Sequence, residues 1–279
     1  MTKILNGVNC KNKLKIKLKN KIEKVKDKLS ITVVSVGNNE ASKIYIKNKI
    51  KECNSVNIEC KHLHYEKTTT DELIKVIKRL NKDKNTTGIL IQLPLPKNIN
   101  EKLVMNSIDS SKDIDGLTET NIAKLYNNEP CIIPCTAKGI IELLEFYDIK
   151  LEGKNITIIG RSNLVGKPLM HSLLNKNATV TLCHSKTKNL KVHTKLSDLI
   201  IVAVGKPNLI TSDMIRKKTI VVDVGINRVN GKICGDVDFK KVSKKCEYIT
   251  PVPGGVGPMT VYEVLSNTLD CYKIQQNKK

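Results

Sequence analysis

Short runs of β-branched and other apolar residues alternate with segments of helical periodicity along the chain. The run ITVVSVG begins at Ile31 and GILIQLPLP at Gly88, with capping and acidic residues that predict a helix over Thr70–Leu80 between them. NITIIG ends at Gly160 and precedes a predicted helix from Gly166 to Asn175. Buried strands that alternate with helices are typical of a parallel sheet covered on both faces. The pattern therefore predicts an α/β fold.

The alternation restarts once, which predicts two domains, residues 1–120 and 121–279. The first domain is expected to open with a helix along the apolar stripe from Leu14 to Leu29. The second series of strands and helices continues without a break, as in a Rossmann-like, doubly wound domain. A last helix, from about Thr260 to Tyr272, is expected to pack back on the first domain.

The charge and the cysteines restrict the classes of function. The formal net charge is +21, but only four of the 48 basic residues are arginines, and aromatic residues make up only 3%. Nucleic-acid readers depend on arginine and on aromatic stacking, so we expect no nucleic-acid partner. No run of residues is long and apolar enough to predict a membrane span, and no secretory signal is evident.

Nine cysteines without a CxxC pair predict free thiols in a reducing compartment, and we expect a cytoplasmic protein. Cys60, His62 and His64 alternate along a predicted strand and would share one face. Because a fourth ligand is missing nearby, no metal site is predicted.

The segment ITIIGRSNLVGKPL has the order of a dinucleotide site: strand, glycine, short loop, glycine and helix. Gly160 would let the chain turn sharply, Gly166 would permit close approach, and the amides near Ser162 would face a phosphate. Ser162 stands where the usual fingerprint has its second glycine. A Walker A loop is excluded, because five residues separate the glycines and Pro168 replaces the Ser/Thr that binds magnesium.

The second strand of this domain favours NADP over NAD as the cofactor. An NAD site usually has an acidic residue at the end of that strand, which holds the ribose 2′-hydroxyl. Here the strand ends with His184 and Ser185, and Arg161 in the glycine turn offers a guanidinium to a 2′-phosphate.

Further segments have no simple structural explanation. The loop from Thr250 to Thr260 is dense in proline and glycine, Gln92 ends a buried strand, and Asp113 and Asp115 precede a turn glycine. With the turn described above, the ordered segments resemble the methylenetetrahydrofolate dehydrogenase/cyclohydrolase family over nearly the whole chain. They are SKIYIKNK (42–49), IQLPLP, KDIDGLT, PCTAKG, GRSNLVGKP, TLCHSKT, DVGIN (223–227), GDVDF and PVPGGVGPMT.

The resemblance implies a one-carbon enzyme with folate substrates and an active-site cleft between its two domains. NADP⁺ would oxidise 5,10-methylenetetrahydrofolate to 5,10-methenyltetrahydrofolate, and water would convert that cation to 10-formyltetrahydrofolate for purine biosynthesis. The resemblance also implies a homodimer formed through the nucleotide domain. There are two alternatives. One is a dehydrogenase without the hydrolytic step, and the other is a non-catalytic nucleic-acid-binding protein with the same fold.

The resemblance also assigns roles to individual residues. Lys49 matches the catalytic lysine, Tyr45 lies one turn before it, Gln92 contacts the lysine, and Asp115 holds the pterin. Cofactor contacts are expected at Gly160, Arg161, Ser162, Ser185 and Ile226. Folate contacts are expected at Tyr45, Lys49, Gln92, Leu93, Asp115, Pro253, Gly254, Gly255, Val256, Gly257, Pro258, Met259 and Thr260.

Overall fold

A computed structural model of the protein describes residues 1–277, except for the side chains of Glu40, Ala41, Ile44 and Tyr45. The strands in this part of the chain are β1 (Lys3–Ile4), β2 (Ser30–Val36), β3 (Glu59–Tyr65), β4 (Gly88–Ile91), β5 (Asn155–Ile159), β6 (Thr179–Cys183), β7 (Leu199–Val202), β8 (Ile220–Asp223), β9 (Asn227–Val229), β10 (Lys232–Cys234) and β11 (Tyr248–Ile249). The helices are α1 (Gly7–Ile22), α2 (Glu40–Asn54), α3 (Thr70–Lys82), α4 (Glu101–Asn106), α5 (Glu119–Tyr126), α6 (Cys135–Phe146), α7 (Gly166–Leu174), α8 (Leu190–Leu196), α9 (Phe239–Val242) and α10 (Val256–Gln276).

The helix predicted from Thr70 is confirmed, and the reason lies in its first turn. Thr69 is the N-cap and accepts the backbone N–H of Glu72, while the Glu72 carboxylate accepts the N–H of Thr69. This reciprocal capping box satisfies two donors that the helix cannot satisfy internally. Apolar side chains at Leu73, Val76 and Ile77 then face the core.

Three predicted boundaries are wrong. The first helix spans Gly7–Ile22 and not the stripe to Leu29, because Leu29 is buried as the residue that leads into β2. Strand β4 ends at Ile91; the N–H of Gln92 still donates to the carbonyl of Val34, but Pro94 and Pro96 beyond it have no N–H with which to continue the pairing. The last helix begins at Val256, four residues before the predicted start, because Pro258 in its first turn needs no hydrogen-bond acceptor.

Residues 14–135 and 261–279 form one compact unit, which we call the three-stranded unit. Its sheet has the order β3–β2–β4, and both pairings are parallel. All seven residues of β2 are buried, as expected for the central strand of a covered parallel sheet. Helices α2 and α3 are the crossovers between its strands.

Residues 1–13 and 136–260 form the second compact unit, the six-stranded unit. Its sheet has the order β1–β11–β8–β7–β5–β6 and is parallel throughout, while β9 and β10 form a separate antiparallel hairpin. The chain moves from β5 outward to β6 and then returns to β7 on the other side of β5. This reversal is the switch point of a doubly wound sheet, where ligands bind beyond the carboxyl ends of the strands. The predicted domain bounds, 1–120 and 121–279, stay a prediction.

None of the helices within the described residues is long and apolar enough to span a membrane. The nine cysteines of the chain are free thiols in the structure.

Within the three-stranded unit, Asn267 of α10 connects the helix to the segment after β4. Its Nδ2 donates to the carbonyl oxygens of Ile114, at 2.8 Å, and Ile133, at 2.9 Å, and its side chain is 1% exposed. The amide thus satisfies two backbone acceptors that lie away from water.

We expect Asn267→Ala to lower the free energy of unfolding by about 2 kcal/mol, because both carbonyls would lose the amide and the Ile114 oxygen would keep only the Cys135 thiol, at 3.4 Å. Lys273→Ala on the same helix is the matched control, since that side chain is 57% exposed and its ion pair with Asp270 lies at the surface. It should change stability by less than about 0.5 kcal/mol. Denaturant unfolding measures both, and equal effects of the two substitutions would contradict the assignment.

Candidate functional site

The side chains of Lys49 and Gln92 meet in the three-stranded unit. Lys49 lies on α2, and its Nζ donates to Oε1 of Gln92 at 3.1 Å. Gln92 follows β4; its backbone N–H donates to Val34, and its Nε2 donates to the carbonyl of Leu93 at 2.7 Å. Because Nε2 is used by Leu93, Oε1 is the atom left to face the ammonium. The Leu93 carbonyl thereby fixes which atom of the Gln92 amide faces Lys49.

Two aspartates of the turn after β4 have different surroundings. Asp113 is fully buried, and its carboxylate accepts the N–H groups of Gly116, at 3.0 Å, and Thr118, at 2.7 Å, with Nδ2 of Asn121 at 3.0 Å. Asp115 is half-buried, and its pKa is raised chiefly by burial; the charge of Asp113 raises it further, against the opposing charge of Lys49. Asp113 therefore holds the turn, and Asp115 lies in the electrostatic field of Lys49.

In the six-stranded unit, Gly160 and Gly166 form a tight turn at the switch point. Gly160 has φ of +125°, and a Cβ there would overlap the carbonyl oxygen of Ala203 after β7. A Cβ on Gly166 would overlap the carbonyl oxygen of Gly160. Both positions thus require glycine, which is the packing expected where a helix closes on a strand at a dinucleotide site.

The loop between these glycines is held by hydrogen bonds to Ser162. Ser162 Oγ accepts the N–H of Val165 at 3.1 Å, and the carbonyl of Ser162 accepts the N–H of Lys167. Helix α7 has no side-chain cap at Val165, so its positive end is not neutralised by a side chain. Arg161 is exposed beside it. An uncapped helix start with a cation is suited to phosphate groups.

The predicted contact Ser185 is at the tip of a turn after β6. The N–H of His184 donates to Oγ1 of Thr187 at 2.9 Å, and Nδ1 of His184 accepts the N–H of Lys186 at 3.1 Å. Ser185 itself is exposed, and the turn carries no acidic residue. An anion that reached this strand end would therefore meet no like charge within the turn.

Two buried carboxylates that the sequence analysis did not single out organise the loops after β7 and β8. Asp223 accepts N–H groups from Gly225, Asp236 and Val237 at 2.9 to 3.0 Å. Asp236 accepts those of Val204, at 2.8 Å, and Gly205, at 3.0 Å, together with Nδ2 of Asn227 at 2.9 Å. The predicted cofactor residue Ile226 lies in this loop and is 61% exposed.

Glycines make the close approach of these carboxylates feasible. A Cβ on Gly225 would overlap the carboxylate of Asp236, and one on Gly235 would overlap that of Asp223. Gly225 in DVGIN and Gly235 in GDVDF are therefore the residues by which the sequence could have indicated the two buried carboxylates.

The proline–glycine segment is not a loop over its whole length, because Val256–Thr260 form the start of α10. Val256 and Met259 are buried, and Met259 packs against Gly139. The exposed positions among the predicted folate contacts here are Pro253 and Gly257, while Gly254, Pro258 and Thr260 are half-buried and Gly255 is buried. Backbone atoms and small side chains are thus what this segment presents to solvent.

Within the residues that the structure describes, no group of three or more His, Cys, Asp or Glu side chains is arranged to hold a metal ion. The side chain of the predicted residue Tyr45 lies outside the described part of the structure. The predicted residues Lys49, Gln92 and Leu93 are in contact, and Gly160 and Gly166 are in contact in the other unit.

Comparison with known proteins identifies the family. Residues 5–115 match the catalytic domain of tetrahydrofolate dehydrogenase/cyclohydrolase, and residues 134–276 match its NAD(P)-binding domain. The chain belongs to the tetrahydrofolate dehydrogenase/cyclohydrolase family. The expected family, its two-domain α/β fold, and its dehydrogenase and cyclohydrolase function are therefore confirmed.

Relatives from this family match along their whole length. The bifunctional protein FolD of Campylobacter jejuni is 49% identical over 280 residues, covering 98% of this chain and 99% of that protein. A solved structure of the Campylobacter jejuni FolD enzyme has a TM-score of 0.97 at 47% identity, covering 99% of this chain and 100% of that one. The Trypanosoma brucei enzyme, solved with NADP cofactor and an inhibitor, has a TM-score of 0.91 at 29% identity, with 98% of each chain covered.

The pKa of Asp223 is raised to about 6 by burial, against the three backbone N–H groups that favour its charged form. The folded protein thus binds a proton more tightly than the unfolded chain between about pH 4 and pH 6. The contribution of this group to stability is therefore largest below pH 4 and declines as the pH rises through 6, by about 3 kcal/mol for this shift.

We expect the free energy of unfolding of Asp223→Ala to lack this decline. The difference between the native protein and the variant should shrink as the pH is raised from 4 to 7. Denaturant unfolding of both proteins at four pH values measures it, and parallel stability curves would show that Asp223 titrates normally.

Proposed function

We propose that this chain oxidises 5,10-methylenetetrahydrofolate with NADP⁺ and hydrolyses the resulting methenyl cation to 10-formyltetrahydrofolate. The observation that carries the proposal is the contact between Lys49 Nζ and Gln92 Oε1. Asp115 lies close enough to Lys49 for the ammonium to lower the pKa of the aspartate. A lysine held by a neutral amide beside a carboxylate can exchange protons with a bound substrate.

In the hydrolytic step, water adds to the methenyl carbon and loses one proton. The remaining hydroxyl proton moves to a ring nitrogen as the carbon–nitrogen bond breaks, so that one proton is released overall. We assign the proton transfer to Lys49 and its orientation to Gln92, whose other amide atom is held by Leu93. Tyr45, one helical turn before Lys49, is proposed to act with it.

Asp115 is proposed to hold the pterin through the two parallel donors of its amino-pyrimidine edge, which suit a carboxylate. Burial raises the pKa of Asp115, and it also strengthens the hydrogen bonds that the carboxylate accepts. A partner with hydrogen-bond donors therefore suits this position. Leu93 and the segment Pro253–Thr260 are proposed as further folate contacts. The exposed backbone of Gly257 would admit a flat ring without a side chain in its way.

The chain's own residues fit a dinucleotide. Gly160 and Gly166 let the start of α7 pack directly against the backbone after β5 and β7, and the uncapped start of α7 suits a pyrophosphate. Arg161 and Ser185 are proposed to bind the 2′-phosphate of NADP, and Ile226 the nicotinamide end. Bound NADP⁺ would supply the hydride acceptor.

We also propose that the chain divides into domains of residues 1–120 and 121–279. We propose that it is a cytoplasmic homodimer without nucleic-acid partners and that its product is used in purine biosynthesis. Free cysteines throughout support the reducing compartment. Val229 and Ile233, exposed by 43% and 42% on the β9–β10 hairpin, support a contact through the nucleotide domain. Light scattering of the purified protein measures the molar mass that tests the dimer.

We expect Lys49→Ala to reduce methenyl hydrolysis by at least a hundredfold, because the proton-transfer group is lost. Lys47→Ala is the matched control, since Lys47 is exposed on the same helix. Absorbance of the methenyl species follows its decay after addition to each variant, and circular dichroism checks the fold. Hydrolysis at the native rate in a folded Lys49→Ala variant would refute the role of the lysine.

We expect turnover with NADP⁺ to exceed turnover with NAD⁺ at equal concentrations, and Arg161→Ala to remove most of this preference by raising the KM for NADP⁺. Lys240→Ala, an exposed cation elsewhere in the six-stranded unit, serves as the control. The measured quantity is the ratio of kcat/KM for the two cofactors. Equal use of both by the native protein would exclude the proposed preference.

A further inference from the structure

Two cysteines lie in contact beside Lys49. Cys53 is on α2, four residues and one helical turn after Lys49, so both residues share a face of the helix. Cys60 is the second residue of β3, the strand against which α2 packs, and its thiol is close enough to that of Cys53 for each to shift the pKa of the other. The carbonyl of Cys53 accepts the N–H groups of Val56 and Ile58, both at 3.1 Å. The chain thus turns back on itself and brings the two sulfurs together.

The two thiols differ in exposure and acidity. Cys53 is 1% exposed, whereas Cys60 is half-buried on the edge strand of its sheet. The hydrogen bond from Cys53 lowers the pKa of Cys60 against the effect of burial, and the charge of Lys49 lowers it further. The same hydrogen bond and burial raise the pKa of Cys53. Cys60 is thus the thiol that ionises and meets solvent, and the thiolate is the reactive form.

We propose that Cys60 and Cys53 form a site of oxidative modification by hydroperoxides. The Cys60 thiolate attacks the terminal peroxide oxygen, the O–O bond breaks, and a sulfenic acid forms as an alkoxide, or hydroxide in the case of hydrogen peroxide, leaves. The Cys53 sulfur then attacks the sulfenic sulfur, and the S–S bond forms as water leaves. Overall, two thiols are oxidised by two electrons and one hydroperoxide is reduced, and a dithiol reductant reverses the change.

Another half-buried cysteine of the same unit provides an internal comparison. The pKa of Cys131 is raised, chiefly by burial, so its thiolate is scarcer than that of Cys60 at the same pH. Exposure alone would make the two cysteines similar targets. The neighbours of Cys60, a resolving thiol and the ammonium of Lys49, are what should separate their reactivity.

The sequence allows a direct measurement by mass spectrometry. The segment ECNSVNIECK, residues 52–61, contains both cysteines and no internal lysine or arginine, so trypsin releases them in one peptide. We expect brief treatment of the full chain with hydrogen peroxide to remove two hydrogen atoms from this peptide. Cleavage after Glu59 should then leave its two fragments joined until a reductant is added.

Variants separate the individual steps. Cys60→Ser should abolish the linkage, and Cys53→Ala should leave a sulfenic acid at Cys60 that dimedone captures. Lys49→Ala should slow the oxidation of Cys60 several-fold, whereas Lys47→Ala and Cys131→Ser should leave its rate unchanged. If Cys131 is oxidised as fast as Cys60, or if the 52–61 peptide of the native protein never forms the internal disulfide, the proposal is wrong. These readouts do not depend on the enzymatic activity.

Discussion

Buried carboxylates that accept backbone N–H groups fix the loops at the carboxyl ends of both sheets. Asp113 does so in the three-stranded unit, and Asp223 and Asp236 do so in the six-stranded unit. Irregular backbone away from water needs partners for its polar groups, and a carboxylate with two oxygens can serve three donors. The half-buried Asp115 and the exposed Ile226 lie on these loops and depend on that support for their positions.

The order of strands and helices could be predicted from the sequence, because periodicity and capping are local properties. The capping residues around Thr69 and the glycine turn at Gly160 mark their own elements. The pairing of Lys49 with Gln92 was predicted only through the resemblance to a family. The two residues are 43 positions apart, and no local pattern connects them.

Other features could not be predicted because they depend on distant partners. Asp113 and Asp115 are separated by one residue, yet one is fully buried beneath the turn and the other is half-exposed. The composition of the turn alone does not decide which aspartate faces inward. Similarly, the first turn of α10 is buried through the packing of Met259 against Gly139, which periodicity within the last helix does not reveal.

The edge strand β1 has a consequence for the order in which the protein can fold during synthesis. Lys3 and Ile4 pair with Tyr248 and Ile249. The first strand to be synthesised therefore cannot pair until residues near the C-terminus have been synthesised. By contrast, β2, β3 and β4 all lie within residues 30–91 and can pair early. The three-stranded sheet can therefore assemble while the ribosome is still translating, whereas the six-stranded sheet closes last, across a separation that makes this contact slow to form.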